Sequence, residues 1–309
     1  MKTALILGGT GFIGSHIANN FVNQGYKVSV LCRNVSRNNQ YHLDSSCKII
    51  SAPIESLTKL LSLKIDWDFD LVVNSCGIGD HTNFSNTSYD IIGSHLIGTI
   101  NIIRLLKREK LKRYIHIGSS EEYGQLKNPS NEKLREEPIT TYGFAKTAAT
   151  HFLQMLYRSE QFPCLIIRPF LVYGENQNPT KLIPFVIDSC IKDIDFDLTE
   201  GNQYREFIHI KDLVELINSI ANSSKSRING NIYDVKSGDV FTVFEIVNLI
   251  KEIVGKGRPR FGRFEKRDSD IKLLYSASNN LYKDLGWQKK IPIEEGLKSI
   301  IEYRRLKND

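Results

Sequence analysis

The chain has 309 residues, 41% of them apolar and 25% charged. That is the composition of a soluble globular protein, large enough for two lobes or one large mixed domain. A net charge of +6 with no basic stripe interleaved with aromatics argues against nucleic acid as a partner, and no apolar run approaches the roughly 20 residues of a membrane span.

Met1-Lys2 followed by Thr3–Leu7 has the outline of a short signal peptide. The apolar run is five residues and ends on glycines, so a buried first strand is expected instead. Further strands are expected at Lys27–Leu31, Cys47–Ser51, Leu71–Asn74, Arg113–Ile117 and Cys164–Arg168, with helices near Phe12–Gln24, Glu55–Leu63, Tyr89–Lys110 and Tyr142–Glu160. This alternation predicts an α/β fold, a doubly wound parallel sheet with helices on both faces that binds ligands at the carboxyl ends of its strands. After Arg168-Pro169 the regularity fades. Glu175–Thr180 reads as a loop entering a second, smaller lobe, Asn222–Asn231 and Lys256–Gly262 as further loops, and the chain from Pro292 onward as a terminal helix. The expected division is 1–170 and 171–309, with part of 206–236 returning to the first lobe. Five dispersed cysteines, Cys32, Cys47, Cys76, Cys164 and Cys190, lack C-x-x-C spacing and suggest reduced thiols in a cytoplasmic protein without a zinc site.

Gly8-Gly9-Thr10-Gly11-Phe12-Ile13-Gly14 follows the first strand and opens the first helix. Glycine at 8 permits the tight turn, at 11 lets the backbone approach a pyrophosphate, and at 14 lets helix and strand pack closely, with the helix N-terminus facing the phosphates. This predicts a dinucleotide site of the Rossmann type. The second strand ends Cys32-Arg33-Asn34 with Arg37 close behind. No carboxylate stands there for the ribose hydroxyls and Arg33 suits a 2′-phosphate, so NADP(H) is expected over NAD(H).

Tyr142 and Lys146 lie four residues apart at the start of a helix, on one face. A tyrosine beside a cation can move a proton on and off a sugar hydroxyl during hydride transfer. The same spacing occurs at Tyr123/Lys127 and Tyr303/Lys307, but neither lies on a helix expected to line the sheet's carboxyl edge. The fifth strand runs into Gly118-Ser119-Ser120-Glu121-Glu122-Tyr123-Gly124. Ser119 is placed to hydrogen-bond the reacting oxygen and steady Tyr142.

These residues resemble the extended short-chain dehydrogenase/reductase family, in particular its nucleotide-sugar epimerases, dehydratases and reductases. The resemblance extends through Arg168-Pro169-Phe170, Tyr173-Gly174, Gly201–His209, Leu285-Gly286-Trp287 and Glu295-Gly296-Leu297. It implies NAD(P) in the N-terminal lobe and a nucleotide-diphosphate sugar under the C-terminal lobe, commonly in a homodimer. Tyr142 is implied as acid/base, Lys146 as holding the nicotinamide ribose and Ser119 as supporting the reacting oxygen. Ser75, Cys76, Gly77, Pro169 and Phe170 are implied beside the cofactor, with Ser120 and Arg205 beside the substrate. Arg258, Arg260, Arg263 and Arg267 are further diphosphate candidates or a solvated loop. The chain departs from the family at Asn74-Ser75-Cys76-Gly77, where His-x-Ala-Ala is usual, at His95, where asparagine is common, and at Ser51-Ala52-Pro53, where an acidic residue near the adenine is expected.

The family's reactions differ around the hydride step. Dehydration needs further acid/base groups, for which Glu121 is the candidate, whereas position 120 carries serine in place of the aspartate of one dehydratase type. The expectation drawn is NADPH-dependent reduction of the C4 ketone of a 4-keto-6-deoxy or dideoxy sugar in surface-polysaccharide synthesis. A 4,6-dehydratase, a 4-epimerase and a non-catalytic NADP-binding scaffold are the alternatives.

Overall fold

A computed structural model describes residues 1–33, 43–79, 84–126, 129–265 and 271–308. The first lobe comprises β1 (Thr3–Leu7), α1 (Phe12–Asn23), β2 (Lys27–Cys32), β3 (Lys48–Ser51), α2 (Leu57–Ser62), β4 (Leu71–Asn74), α3 (Ser88–Ile92), α4 (Gly98–Leu105), β5 (Arg113–Ile117), α5 (Thr141–Glu160) and β6 (Cys164–Pro169). There follow β7 (Leu171–Tyr173), α6 (Leu182–Ile191), β8 (Asp195–Asp197), β9 (Tyr204–His209), α7 (Ile210–Asn222), β10 (Ile232–Val235), β11 (Val240–Thr242), α8 (Val243–Val254), β12 (Arg258–Arg260), β13 (Leu273–Leu274), α9 (Asn280–Leu285) and α10 (Ile293–Asn308).

Seven strands form one parallel sheet in the order β10-β6-β5-β4-β1-β2-β3. Their near-continuous apolar runs follow from burial on both faces. Along β1, Ala4 and Ile6 join the α1/α7 side with Ile17, Phe21, Leu213 and Ile217, while Leu5 and Leu7 join Leu60, Ile102 and Leu153 on the other side. Successive side chains on a strand alternate faces, so one strand feeds both cores. The chain's direction along the sheet reverses between β1 and β4, which opens a crevice at their carboxyl ends. Both α7 and β10 return to this sheet after the excursion through β7–β9.

A third cluster packs α6, α8 and α10 with Phe196 and Phe207, beside a small sheet of β7, β9, β11 and β13. Two stretches differ from their sequence reading. The single helix expected over Tyr89–Lys110 is interrupted by a π-turn at Gly93–Ile97 and ends at Leu105, because Leu106 turns extended and Lys107 N–H bonds the Trp67 carbonyl. The loop expected over Lys256–Gly262 contains β12, which pairs in parallel register with β8.

Candidate active site

The turn after β1 and the ends of β2, β3 and β4 enclose a cleft of about 500 Å³. It is lined by Gly8, Thr10, Gly11, Leu31, Cys32, Arg33, Ala52, Ile54, Glu55, Ser75, Cys76, Gly77, Ile78 and Ser94, with Asn178 contributed from the segment between β7 and α6. Gly8 has φ +73°, and a Cβ on Gly14 would stand 2.3 Å from the Gly8 carbonyl. No side chain caps the N-terminus of α1 and no acidic residue occupies its first turn. Its free N–H groups and positive end are thus directed at the glycine turn, which is what a pyrophosphate requires. Phe12 and Ile13 pack their side chains against the core, leaving their backbone as what they present to the turn. Ser75 donates its hydroxyl to the Leu7 carbonyl (2.7 Å), and burial pushes the Cys76 thiol up to about 11. The residues present fit a dinucleotide.

Its adenosine end differs from expectation. Arg33 is not a free cation: its Nη2 lies 3.3 Å from the Glu55 carboxylate. Glu55, read from sequence as the first residue of a helix, stands in the connection before α2 and lines the cleft, with Oε2 buried and unpartnered among the described residues. Asn34, Arg37 and Arg267 lie outside the described residues. Pro169 sits in β6 opposite Val235 and Phe170 is buried against Ile271 and Leu274, so neither lines this cleft.

The catalytic candidates meet beyond the Cys76–Gly77 end of the cleft. Thr140 accepts a bond from Gly143 N–H and starts α5, which carries Tyr142 and Lys146 toward the end of β5. The Ser119 side chain stands close enough to the Tyr142 hydroxyl to oppose part of its upward shift, and Lys146 Nζ donates to the Ile117 carbonyl at 2.6 Å. Ser119 begins a 3₁₀ turn over Ser120–Tyr123: its hydroxyl accepts from Glu121 N–H at 3.1 Å, and its own N–H donates to Glu122 Oε1 at 2.8 Å. Glu122 is fully buried and is held by Arg168 through Nε (3.0 Å) and Nη2 (2.6 Å), while Nη2 also donates to Glu136 (2.6 Å). This buried ion cluster, absent from the sequence reading, fixes the strand end that bears Ser119. Ser120 is buried behind it.

His95, in the π-turn, meets the Tyr142 ring edge-on, 5.2 Å between centroids at 79°. Its Nε2 is 3.2 Å from the Ile78 carbonyl. A Cβ on Gly77 would fall 1.7 Å from the imidazole, so the departures at 77 and 95 form one packing unit. Burial, then Lys146, holds His95 well below its ordinary value. Burial pushes Lys146 down to about 8, with Glu122 and Cys76 pulling the other way. Tyr142 is raised well above a normal phenol, first by burial and then by the Glu121 carboxylate. The expected lowering of Tyr142 by Lys146 is therefore absent from this arrangement; the ammonium lies 5.9 Å from the ring centroid and is engaged with the Ile117 carbonyl.

The two decoy tyrosines are structural: Tyr123 donates to Asp234 (2.7 Å) and Tyr303 bonds Asn176. Arg205 is half-buried on β9, opposite Phe241 and Leu274, with Nη1 donating to the Tyr204 carbonyl. Arg258 and Arg260 pair with Asp193, Asp195 and Asp197. Exposed Arg263 follows them. Among the described residues no helix is long and apolar enough to cross a membrane.

Comparison with known proteins agrees with this geometry. A model of the NAD dependent epimerase/dehydratase family matches residues 4–235. A putative UDP-glucose 4-epimerase of Methanocaldococcus jannaschii is 27% identical, covering 98% of this chain and 99% of that protein. A trifunctional UDP-glucose 4,6-dehydratase/UDP-4-keto-6-deoxy-D-glucose 3,5-epimerase/UDP-4-keto-L-rhamnose-reductase of Arabidopsis thaliana is 24% identical over 98% of this chain, which spans 47% of its length. The crystal structure of a UDP-glucuronic acid 4-epimerase mutant from Bacillus cereus superposes with TM-score 0.88 at 22% identity, covering 99% of each chain. That structure is a complex with NAD and UDP-4-deoxy-4-fluoro-glucuronic acid. It overturns the expectation of NADP(H), and the Arg33–Glu55 pair supplies the physical reason: the arginine expected to meet a 2′-phosphate is already neutralised.

Proposed function

Because this chain belongs to the NAD dependent epimerase/dehydratase family, we propose that it is an NAD-dependent enzyme that inverts C4 of a nucleotide-linked sugar. One observation carries this reading. Ser119, Tyr142 and Lys146 converge at the carboxyl end of β5 beside a single candidate acid/base carboxylate, Glu121, with a buried hydroxyl at 120.

NAD, when bound, would supply reversible two-electron chemistry at C4. Tyr142, whose ionised form the positive charge of bound NAD⁺ would favour, would take the proton from the C4 hydroxyl oxygen and restore it after the sugar has presented its other face. Ser119, beside Tyr142, orients that oxygen. Lys146 places a positive charge behind both and is positioned to hold a ribose hydroxyl. Gly8, Thr10, Gly11, Gly14, Ser75, Cys76 and Gly77 frame the dinucleotide, and Arg205 is the candidate for the substrate's diphosphate. The expected C4 reduction leaned on an NADPH-consuming economy and loses that support with the cofactor corrected. Dehydration is the second reading, favoured by the Glu121 carboxylate acting directly on Tyr142, but it lacks an acid at 120. Exposed Tyr89, Ile97, Phe144 and Met155 on α3, the π-turn and α5 support a homodimer.

The test is incubation of the protein with UDP-glucose or UDP-glucuronic acid, without added reductant, followed by proton NMR. The C4 epimer is expected. A 4-keto-6-deoxy product would move the assignment to dehydration, and NADH oxidation by a supplied 4-keto sugar would move it to reduction. Tyr142→Phe should lower turnover by about 10²–10⁴-fold while leaving NAD binding intact; near-normal turnover would remove Tyr142 from the chemistry.

A further inference from the structure

We propose that Glu55, acting through Arg33, is the residue that makes this cleft accept NAD and reject NADP. The inference rests on the dinucleotide-site reading above and deepens it. At the end of the second strand of such sheets the adenosine ribose is read, by a carboxylate that accepts from its hydroxyls or by an arginine that meets a 2′-phosphate. Judged from its second strand alone, this chain has the second arrangement. The structure converts it into the first.

Glu55 reaches the same cleft from the neighbouring strand connection and stands 3.3 Å from Arg33. One carboxylate oxygen holds the guanidinium. The other, Oε2, is buried and has no partner among the described residues. The backbone that carries Glu55 is itself clamped: buried Asn101 donates to the carbonyls of Ile54 (3.1 Å) and Glu55 (3.0 Å). Helix α4 also presses on Ile54 at Gly98, where a Cβ would come within 2.6 Å of the isoleucine side chain. The backbone that carries the carboxylate therefore cannot shift without undoing the α4 contact.

The electrostatics follow directly. A ribose 2′-hydroxyl is a donor, and the Glu55 carboxylate that lines the cleft is an acceptor for it. A 2′-phosphate brings close to two negative charges and no donor. It would face the Glu55 carboxylate, with Arg33 already paired to it. Removing the charge of Glu55 while keeping its shape should release Arg33 for the phosphate.

The experiment is isothermal titration of NAD⁺ and NADP⁺ into wild type, Glu55→Gln, Arg33→Ala and the double variant at one ionic strength. Wild type should bind NAD⁺ more tightly. Glu55→Gln should shift the preference toward NADP⁺ by at least tenfold, and the double variant should lose that shift because Arg33 is no longer there to meet the phosphate. Arg33→Ala alone, leaving Glu55 without its counter-charge, should weaken NADP⁺ at least fivefold. A Glu55→Gln preference within twofold of wild type overturns the proposal. So does a shift that persists undiminished in the double variant. Failure of wild type to bind either nucleotide would overturn the site reading itself, and this proposal with it.

Discussion

Replacing Lys146 by Met removes a buried ammonium that the chemistry needs and the fold pays for. Lys146 is 4% exposed, and burial pushes it down to about 8 from the ordinary 10.5. A base whose folded value lies below its unfolded value binds fewer protons in the native state between those two pH values. Stability therefore rises with pH across that window. The difference corresponds to about 3 kcal/mol, a cost fully present below pH 8 and relieved as pH approaches 10.5. Tyr142, raised above the ordinary phenol value, is present in both proteins and largely cancels. The stability of wild type relative to Lys146→Met should thus improve by about 2–3 kcal/mol between pH 7 and pH 10. The absolute difference at one pH is less informative, because the substitution also deletes the bond to the Ile117 carbonyl. Urea unfolding followed by circular dichroism at pH 7, 8, 9 and 10, without added nucleotide, measures it. Curves that stay parallel within 1 kcal/mol, or a gap that moves the other way, would refute the claim that Lys146 is held charged against burial.

Three further outcomes follow from named contacts. Gly77→Ala puts a methyl 1.7 Å from the His95 ring at φ +143° and should destabilise by about 3 kcal/mol or more, summing overlap and backbone strain. Adding His95→Ala should recover the steric part, read as a partial return of the urea midpoint. Glu122→Ala leaves buried Arg168 with Glu136 alone and should cost about 3–5 kcal/mol; it should also lower kcat, since the Ser119 N–H loses its acceptor. Gly14→Ala drives a methyl 2.3 Å from the Gly8 carbonyl and should weaken NAD⁺ at least tenfold by titration, with a smaller effect on the affinity for a nucleotide sugar.

Those parts of the molecule governed by local pattern were readable from the chain. Thr3–Leu7, Leu71–Asn74 and Arg113–Ile117 stand where the apolar runs place them, because a parallel strand buried on both faces reads as a near-continuous apolar run that stops where the chain turns. The glycine turn was readable for the same reason, since close approach of backbone to backbone leaves few residue choices. Helix α6 was missed: Leu-Ile-Pro-Phe-Val-Ile-Asp-Ser-Cys-Ile is apolar nearly all round and gives no amphipathic period, as befits a helix packed against both α8 and α10.

Interactions between distant segments were not readable, and two of them changed the functional reading. Arg33 and Glu55 are far apart in sequence and on different connections, so nothing beside Arg33 announces that its charge is spoken for. The second case did carry a signal. Asp195 and Asp197 alternate with period two, as do Arg258 and Arg260, and a period of two is the mark of a strand face. Opposite charges at matching period are what a parallel pair in register requires, and β8 and β12 realise it with Arg258 opposite Asp195 and Arg260 opposite Asp197. Read together, the two motifs argue from pattern alone against these arginines as diphosphate ligands; read apart, each looks like a solvated loop. The departures at Gly77 and His95 make the same point at the active site. Each is unusual for the family when taken singly, yet the ring at 95 occupies the volume that the missing Cβ at 77 leaves, so substitutions that touch in the fold have to be interpreted as a pair.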